Sequence, residues 1–149
     1  MSDWVRALGI DYGTVRIGLA VSDDLGFLAH PLETVAGDHP DKAAIEIARI
    51  VSERKIEDIV IGLPLHANGD EGKAVGKVRQ FTELLRSEIE LMVRWHEVDE
   101  RYTTMLAMEK LHSAGRNEKN SRKIIDQAAA VEILQKWLDD RVPSDSAYS

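Results

Sequence analysis

Cysteine is missing altogether from this 149-residue chain. That excludes disulfides, thiolate zinc sites and cysteine nucleophiles at once. No apolar run approaches the roughly 18 residues that a membrane-spanning helix needs. The Met-Ser-Asp-Trp start also lacks the apolar stretch of a secretory signal. A cytoplasmic protein with no membrane partner is the expectation. Positive charge is scarce: 19 Lys and Arg against 26 Asp and Glu leave a net charge of −7. Sequence-independent DNA binding feeds on phosphate neutralisation, so that balance disfavours it. A nucleic-acid enzyme with a local basic patch beside a metal-filled acidic site is still allowed. Several motifs are absent too. His30, His39, His66, His96 and His112 show no zinc-ligand spacing such as H-E-x-x-H, and no G-x-S-x-G occurs. A phosphate loop around Gly76-Lys77 would need Gly where Glu71 stands and Ser or Thr where Val78 stands.

What is present is 44% hydrophobic sequence, enough for one core. Residues 1–141 read as a single domain, and 142–149, with Pro143 and three serines, as a flexible tail. The strongest stretch is R-A-L-G-I-D-Y-G-T-V-R-I-G-L-A-V-S-D, residues 6–23. Its two short apolar runs, 7–10 and 17–21, flank a turn at Tyr12-Gly13-Thr14 and predict a β-hairpin. A third strand is expected over 27–35, on an edge because of Pro31. Asp38 can cap a helix over 41–55, where Ala44, Ile47, Ala48 and Val51 recur at helical spacing. The run D-I-V-I-G-L-P-L, 58–65, reads as a parallel strand buried on both faces. An amphipathic helix over 73–88 and a strand over 91–98 follow. A short helix from Thr103 or Thr104 ends at Gly115, and 116–123 is expected to be an exposed basic loop. The last helix starts near Ser121 and buries Ile125, Ala128, Ala129, Val131, Leu134 and Leu138. Strands alternating with helices make this an α/β protein.

Carboxylates stand at the ends of these buried elements. Asp11 closes the first strand, Asp99 and Glu100 follow the last, and Asp126 opens the final helix. Each has an ordinary explanation: Asp-x-Gly is turn chemistry, Asp99-Glu100-Arg101 suits a solvated ion-pair cluster, and the helix dipole favours Asp126. In an open sheet, however, sites form at the carboxyl ends of the parallel strands. Three converging carboxylates would repel one another unless cations shared them. Mg²⁺ (or Mn²⁺) accepts carboxylate oxygens while keeping waters or substrate phosphates, and two such ions can drive phosphodiester cleavage. Neighbours on an extended strand point to opposite faces, so only one of Asp99 and Glu100 joins such a site directly.

Four segments, G-I-D-Y-G-T-V-R-I-G-L-A-V-S-D, I-V-I-G-L-P-L-H-A-N-G-D-E-G, V-D-E-R-Y-T-T and I-I-D-Q-A-A-A-V-E-I-L-Q, strongly resemble the YqgF/RuvX family in the family's own order. These are RuvC-like members of the ribonuclease H-like superfamily, described as Holliday junction resolvases and as nucleases that mature the small-subunit ribosomal RNA precursor. The resemblance implies a mixed five-stranded sheet, its first three strands antiparallel, with helices on both faces. It implies Mg²⁺-dependent hydrolysis of phosphodiester bonds in precursor rRNA or branched DNA. It places Asp11, Glu100 and Asp126 at the metal and catalytic site, with Asp99 as a neighbour. Two departures stand out. His66-Ala67 occupies a place where the family commonly has Asn, and Ala129-Ala130 fill the turn where RuvC resolvases often carry a further acid.

Arg116, Lys119, Arg122 and Lys123 form the densest basic run, immediately before the Asp126 helix. They are the candidates for flanking phosphates; the alternative is a solvated loop that serves solubility. Two other functions compete. The D-x-G-T hairpin also resembles the phosphate loop of actin-like and sugar-kinase ATPases, which clamp nucleotide between two such lobes where this chain supplies one. A catalytically silent nucleic-acid-binding or regulatory module is the other. The sequence leaves open RNA against branched DNA, one metal against two, and monomer against homodimer.

Overall fold

The computed structural model describes the backbone of residues 5–64, 72–90, 92–100 and 118–146, and the side chains of these except 118–126 and 142–146. In order the elements are β1 (Ala7–Asp11), β2 (Arg16–Ser22), β3 (Ala29–Ala36), α1 (Pro40–Arg54), β4 (Asp58–Leu63), α2 (Lys73–Glu88), β5 (Arg94–Asp99) and α3 (Glu118–Ser146). The strands form one sheet in the order β3-β2-β1-β4-β5. β1, β2 and β3 are antiparallel neighbours, while β4 runs parallel to β1 and β5 parallel to β4. The expected mixed five-stranded sheet is therefore present.

Strand alternation sorts the side chains onto two faces. Leu8, Ile10, Ile17, Leu19, Ile59 and Ile61 pack with Ile47, Val51, Phe81 and Leu85 of α1 and α2. On the other face Ala7, Ala20, Val60 and Val98 pack with Ala130, Ile133, Leu134 and Leu138 of α3. Helices thus cover both faces, and β4 is buried along its whole length, as its unbroken apolar run requires. Gly9 decides how close α3 comes. A Cβ there would lie 2.8 Å from Leu134 Cβ and 2.9 Å from the Ala130 carbonyl oxygen. Among the described residues, no helix is long and apolar enough to cross a membrane.

Several boundaries differ from the sequence expectation for local reasons. The β2–β3 turn extends through Leu28, because the Asp23 carboxylate accepts the N–H groups of Gly26 (2.7 Å) and Phe27 (2.9 Å). The cap of α1 is His39 without a side-chain hydrogen bond; Pro40 opens the helix and Asp38 lies outside it. β5 begins at Arg94 because its partner β4 begins at Asp58, directly opposite. α3 begins at Glu118, so Lys119, Arg122 and Lys123 stand on helical backbone where a loop is expected. The helix also runs through Val142 to Ser146, into the segment expected to be a tail. The expected short helix before Gly115, the 66–71 loop and Arg116 lie outside the described residues.

Asp58 is the buried charge that ties β4 to β5. Arg94 donates to both its oxygens, Nε at 2.8 Å and Nη2 at 2.9 Å, and His96 Nε2 lies 2.9 Å from Oδ1. Burial alone would raise the Asp58 pKa, but the bonds from Arg94 and His96 outweigh it and hold the carboxyl below its usual 3.8. A depressed carboxyl contributes stability above its unfolded pKa and loses it as pH falls through the folded value. Arg94 is largely exposed, which weakens the pair by solvent screening. Asp58→Asn is expected to cost about 1–3 kcal/mol at pH 7, measured by urea unfolding, with the gap closing below about pH 4. Equal stability at pH 7 would show that the pair does not hold the strands.

Candidate active site

The row that crosses the α3 face at the carboxyl end of β1 has a glycine on each side of its acid. Asp11 pairs with Gly18 of β2, and Gly18 with Thr34 of β3. One step beyond the Ile10–Ile61 pair, the parallel register sets Asp11 beside Gly62 of β4, which in turn pairs with Val98 of β5. Asp11 shares a face with Gly9 and Ala7, two and four residues back, and that face belongs to α3. Behind it the chain turns tightly. Tyr12 stacks on Phe81 of α2 at 4.8 Å, and Gly37 donates its N–H to the Val15 carbonyl at 2.8 Å.

Glu100 follows β5 directly and is anchored by its N–H, which donates to the Leu63 carbonyl at 3.1 Å. Alternation puts it on the face of Val98, toward α3 and Asp11. Its carboxyl lies over Gly62: a Cβ there would stand 2.8 Å from Oε2 and 2.9 Å from Cδ, and would also collide with Ile133. Glycine at 62 is what makes the space. Glu100 is only 9% exposed, and among the described residues its buried Oε2 has no hydrogen-bond partner. Burial pushes its pKa up to about 9, helped by the charge of Asp11, a hydrogen bond to Asp11 and the charge of Asp99. Glu100 therefore keeps its proton at neutral pH and is hydrogen-bonded to Asp11.

Asp99 falls on the other face. It shares a face with Glu97, which pairs with Arg79 of α2 at 3.3 Å, while the Asp99 carbonyl receives Lys136 Nζ at 3.5 Å. Asp126 lies on α3 four residues before Ala130, and i, i+4 spacing puts both on one helix face. Its side chain, like those of Lys119, Arg122 and Lys123, lies outside the described residues. Within the described residues no three metal-type donors gather, so the described part of the site is the Asp11–Glu100 pair. That pair fits a divalent cation: two acidic side chains meet, and among the described residues Glu100 Oε2 is buried without a hydrogen-bond partner. Sequence reasoning passed over Gly62, Thr34 and Gln127. Gly62 carried a signal, a lone glycine inside a Val/Ile strand; the other two carried none, because their hydrogen bond joins residues 93 apart in sequence.

A mixed sheet of this order and strand direction, flanked by helices on both faces, is the ribonuclease H-like fold. The family model described as "RuvX: Holliday junction resolvase" matches residues 5–140. The chain belongs to the RuvX family and is a hydrolase of nucleic-acid phosphodiester bonds. A Corynebacterium jeikeium protein named "Putative pre-16S rRNA nuclease" is 42% identical over 91% of this chain and 87% of its own length. A Rhodococcus erythropolis protein of the same name is 45% identical, over 91% of this chain and 78% of its own. Among solved structures, Thermus thermophilus RuvC in complex with a Holliday junction substrate superposes with a TM-score of 0.58 at 18% identity, covering 92% of this chain and 96% of that one. The Fowlpox virus resolvase in complex with Holliday junction DNA gives 0.60 at 8% identity, covering 93% and 99%. These two establish the fold.

Proposed function

We propose that Asp11 and Glu100, with Asp126 from α3, hold Mg²⁺ or Mn²⁺ and cleave structured nucleic acid in the cytoplasm, the 5′ end of precursor 16S rRNA first and Holliday junctions second. The observation that carries this is the buried Glu100 carboxyl hydrogen-bonded to Asp11, whose Oε2 meets no hydrogen-bond partner among the described residues. The names of the 41–45% identical relatives favour the ribosomal precursor. When bound, the cation would activate a water and stabilise the leaving oxygen. The residues supply the rest. Asp11, fixed at a strand end, gives a rigid ligand, and Glu100 must release its proton to become the second. Ile133 and Gly62 hold that carboxyl in place. Asp99 faces away and orients the chain end. Asp11 and Glu100 come from one chain, so a monomer or a homodimer houses the site equally. The deciding assay compares precursor rRNA with a four-way DNA junction, in Mg²⁺, Mn²⁺ and chelator. No cleavage of either with metal would remove this reading.

Binding a polyanion with a net charge of −7 requires a local basic surface. Arg116, Lys119, Arg122 and Lys123 are proposed to supply it, three of them on the opening turns of the helix that carries Asp126. Replacing Arg122 and Lys123 with Ala should lower the slope of log affinity against log salt by about one to two units. Cleavage at saturating substrate should fall much less. An unchanged slope would place the nucleic acid elsewhere on the surface.

A further inference from the structure

Beyond the acidic pair, the opening turns of α2 carry cations that the fold itself leaves unused. Tyr12, the residue after Asp11, stacks on Phe81 in the middle of α2. α2 runs back from this end of the sheet to the start of β5, so the turns before Phe81 project past the end of β1. At 1.5 Å per residue, Lys77 and Lys73 stand about 6 and 12 Å farther out along the helix. By way of Tyr12 and Phe81, Lys77 lies within about 20 Å of Asp11, a few nucleotides along a strand. The spacing i, i+3, i+4 puts Lys73, Gly76 and Lys77 on one face of the helix. All three are exposed.

The neighbouring cations are spent inside the molecule. Arg79 pairs with Glu97, Arg86 with Glu83 and the Trp95 ring, and Arg94 with Asp58. Among the described residues no hydrogen bond or ion pair engages the ammonium groups of Lys73 and Lys77, so their charge is open to a ligand. Lys73 also stands where the helix dipole favours anions, in a first turn that holds no acid. Gly76 adds a separate observation. A glycine inside a helix costs stability, yet its φ is not positive and a Cβ there would meet nothing within 4 Å. Neither backbone geometry nor packing among the described residues calls for it. A bare strip of helix between two unspent ammonium groups suits the close approach of an outside backbone that carries repeated negative charge. We infer that Lys73, Gly76 and Lys77 form a second docking face for the phosphodiester backbone, on the α2 side of the acidic pair; this rests on the nuclease reading above. The basic run that opens α3 belongs to the opposite face of the sheet, so the substrate straddles the sheet end with Asp11 and Glu100 between its two supports.

The test reads affinity and stability together. Kd for precursor rRNA and for a four-way DNA junction is measured against salt with Ca²⁺ in place of Mg²⁺, and cleavage in Mg²⁺ is assayed separately. Lys73→Gln with Lys77→Gln should weaken binding by about 5- to 50-fold near 0.1 M salt and lower the salt slope by about one to two units. Its melting temperature should stay level or rise, because a cation leaves the start of the helix. Cleavage at saturating substrate should fall much less than affinity. Arg54→Gln with Lys55→Asn removes the same charge at the other end of the sheet, with asparagine suiting the left-handed backbone at 55, and should leave the slope alone. Gly76→Leu should raise the melting temperature and yet weaken binding, since its side chain fills the strip that the nucleic-acid backbone needs. Equal slopes for the two double variants would overturn the docking face, as would wild-type affinity in Gly76→Leu. Wild type that binds but cuts neither substrate overturns the nuclease reading alone, since the slopes still decide the face. Wild type that binds neither overturns both.

Discussion

Asp11→Asn is expected to lower Mg²⁺-dependent cleavage by about 10²–10³-fold or more while the protein stays folded. Asp11 sits at the end of β1 beside two glycines, and its carboxyl meets that of Glu100. Asparagine keeps the shape and one oxygen but removes the charge that a divalent cation needs. The same change relieves the like-charge pressure on Glu100, so the metal-free variant should melt higher than wild type, by about 2–4 °C for each kcal/mol relieved. Loss of activity with a gain in stability separates a functional carboxylate from a structural one. Asp99→Asn provides the contrast. On the opposite face, it should keep most of the cleavage and only modestly ease the proton on Glu100. Wild-type activity in Asp11→Asn, or inactivation by Asp99→Asn with Glu100→Gln tolerated, would undo the assignment.

The sheet was legible because its signals were local. The runs at 7–10 and 17–21 are short and apolar around a turn, and 58–63 is Val/Ile-rich without a break; both patterns survive any tertiary context. The helix over 73–88 was readable from Val75, Val78, Phe81 and Leu85 at helical spacing. What misled was polar sequence. Residues 118–123 carry charge and asparagine like a loop, yet lie on helical backbone. β5 starts where its neighbour allows, which no composition records. In the site, alternation from Val98 puts Glu100 and Asp99 on opposite faces, an inference that only needed to know which face Val98 occupies. Gly62 yields to Glu100 across a strand pair 38 residues apart in sequence, and the Thr34–Gln127 bond spans 93. Such pairings exist only once the register is set.

Glu100→Gln should change how stability depends on pH more than any other single substitution. With burial, Asp11 and Asp99 raising its pKa from 4.5 to about 9, the folded metal-free protein keeps a proton that the unfolded chain has already lost between those values. A state that holds more protons when folded becomes less stable as pH rises. In chelator, wild type should therefore be most stable near pH 4–5 and lose stability steadily toward pH 9, until charge appears on a carboxyl with a buried oxygen that no donor among the described residues reaches. Glutamine cannot ionise, so its curve should stay flat across that window. The two proteins should melt together near pH 4.5 and diverge above it. An unpaired buried polar group costs about 1–3 kcal/mol, so wild type should fall behind by about 3–10 °C at pH 8–9. Mg²⁺ reverses the sign for wild type alone, since a cation takes the place of the proton and supplies the missing partner; its binding should release protons near neutral pH and tighten as pH rises. The measurement is a set of melting curves for both proteins from pH 4 to 9, with chelator and with Mg²⁺. Parallel curves in chelator would mean that Glu100 ionises freely and keeps no proton at neutral pH. A Mg²⁺ effect of equal size in both would move the cation off Glu100.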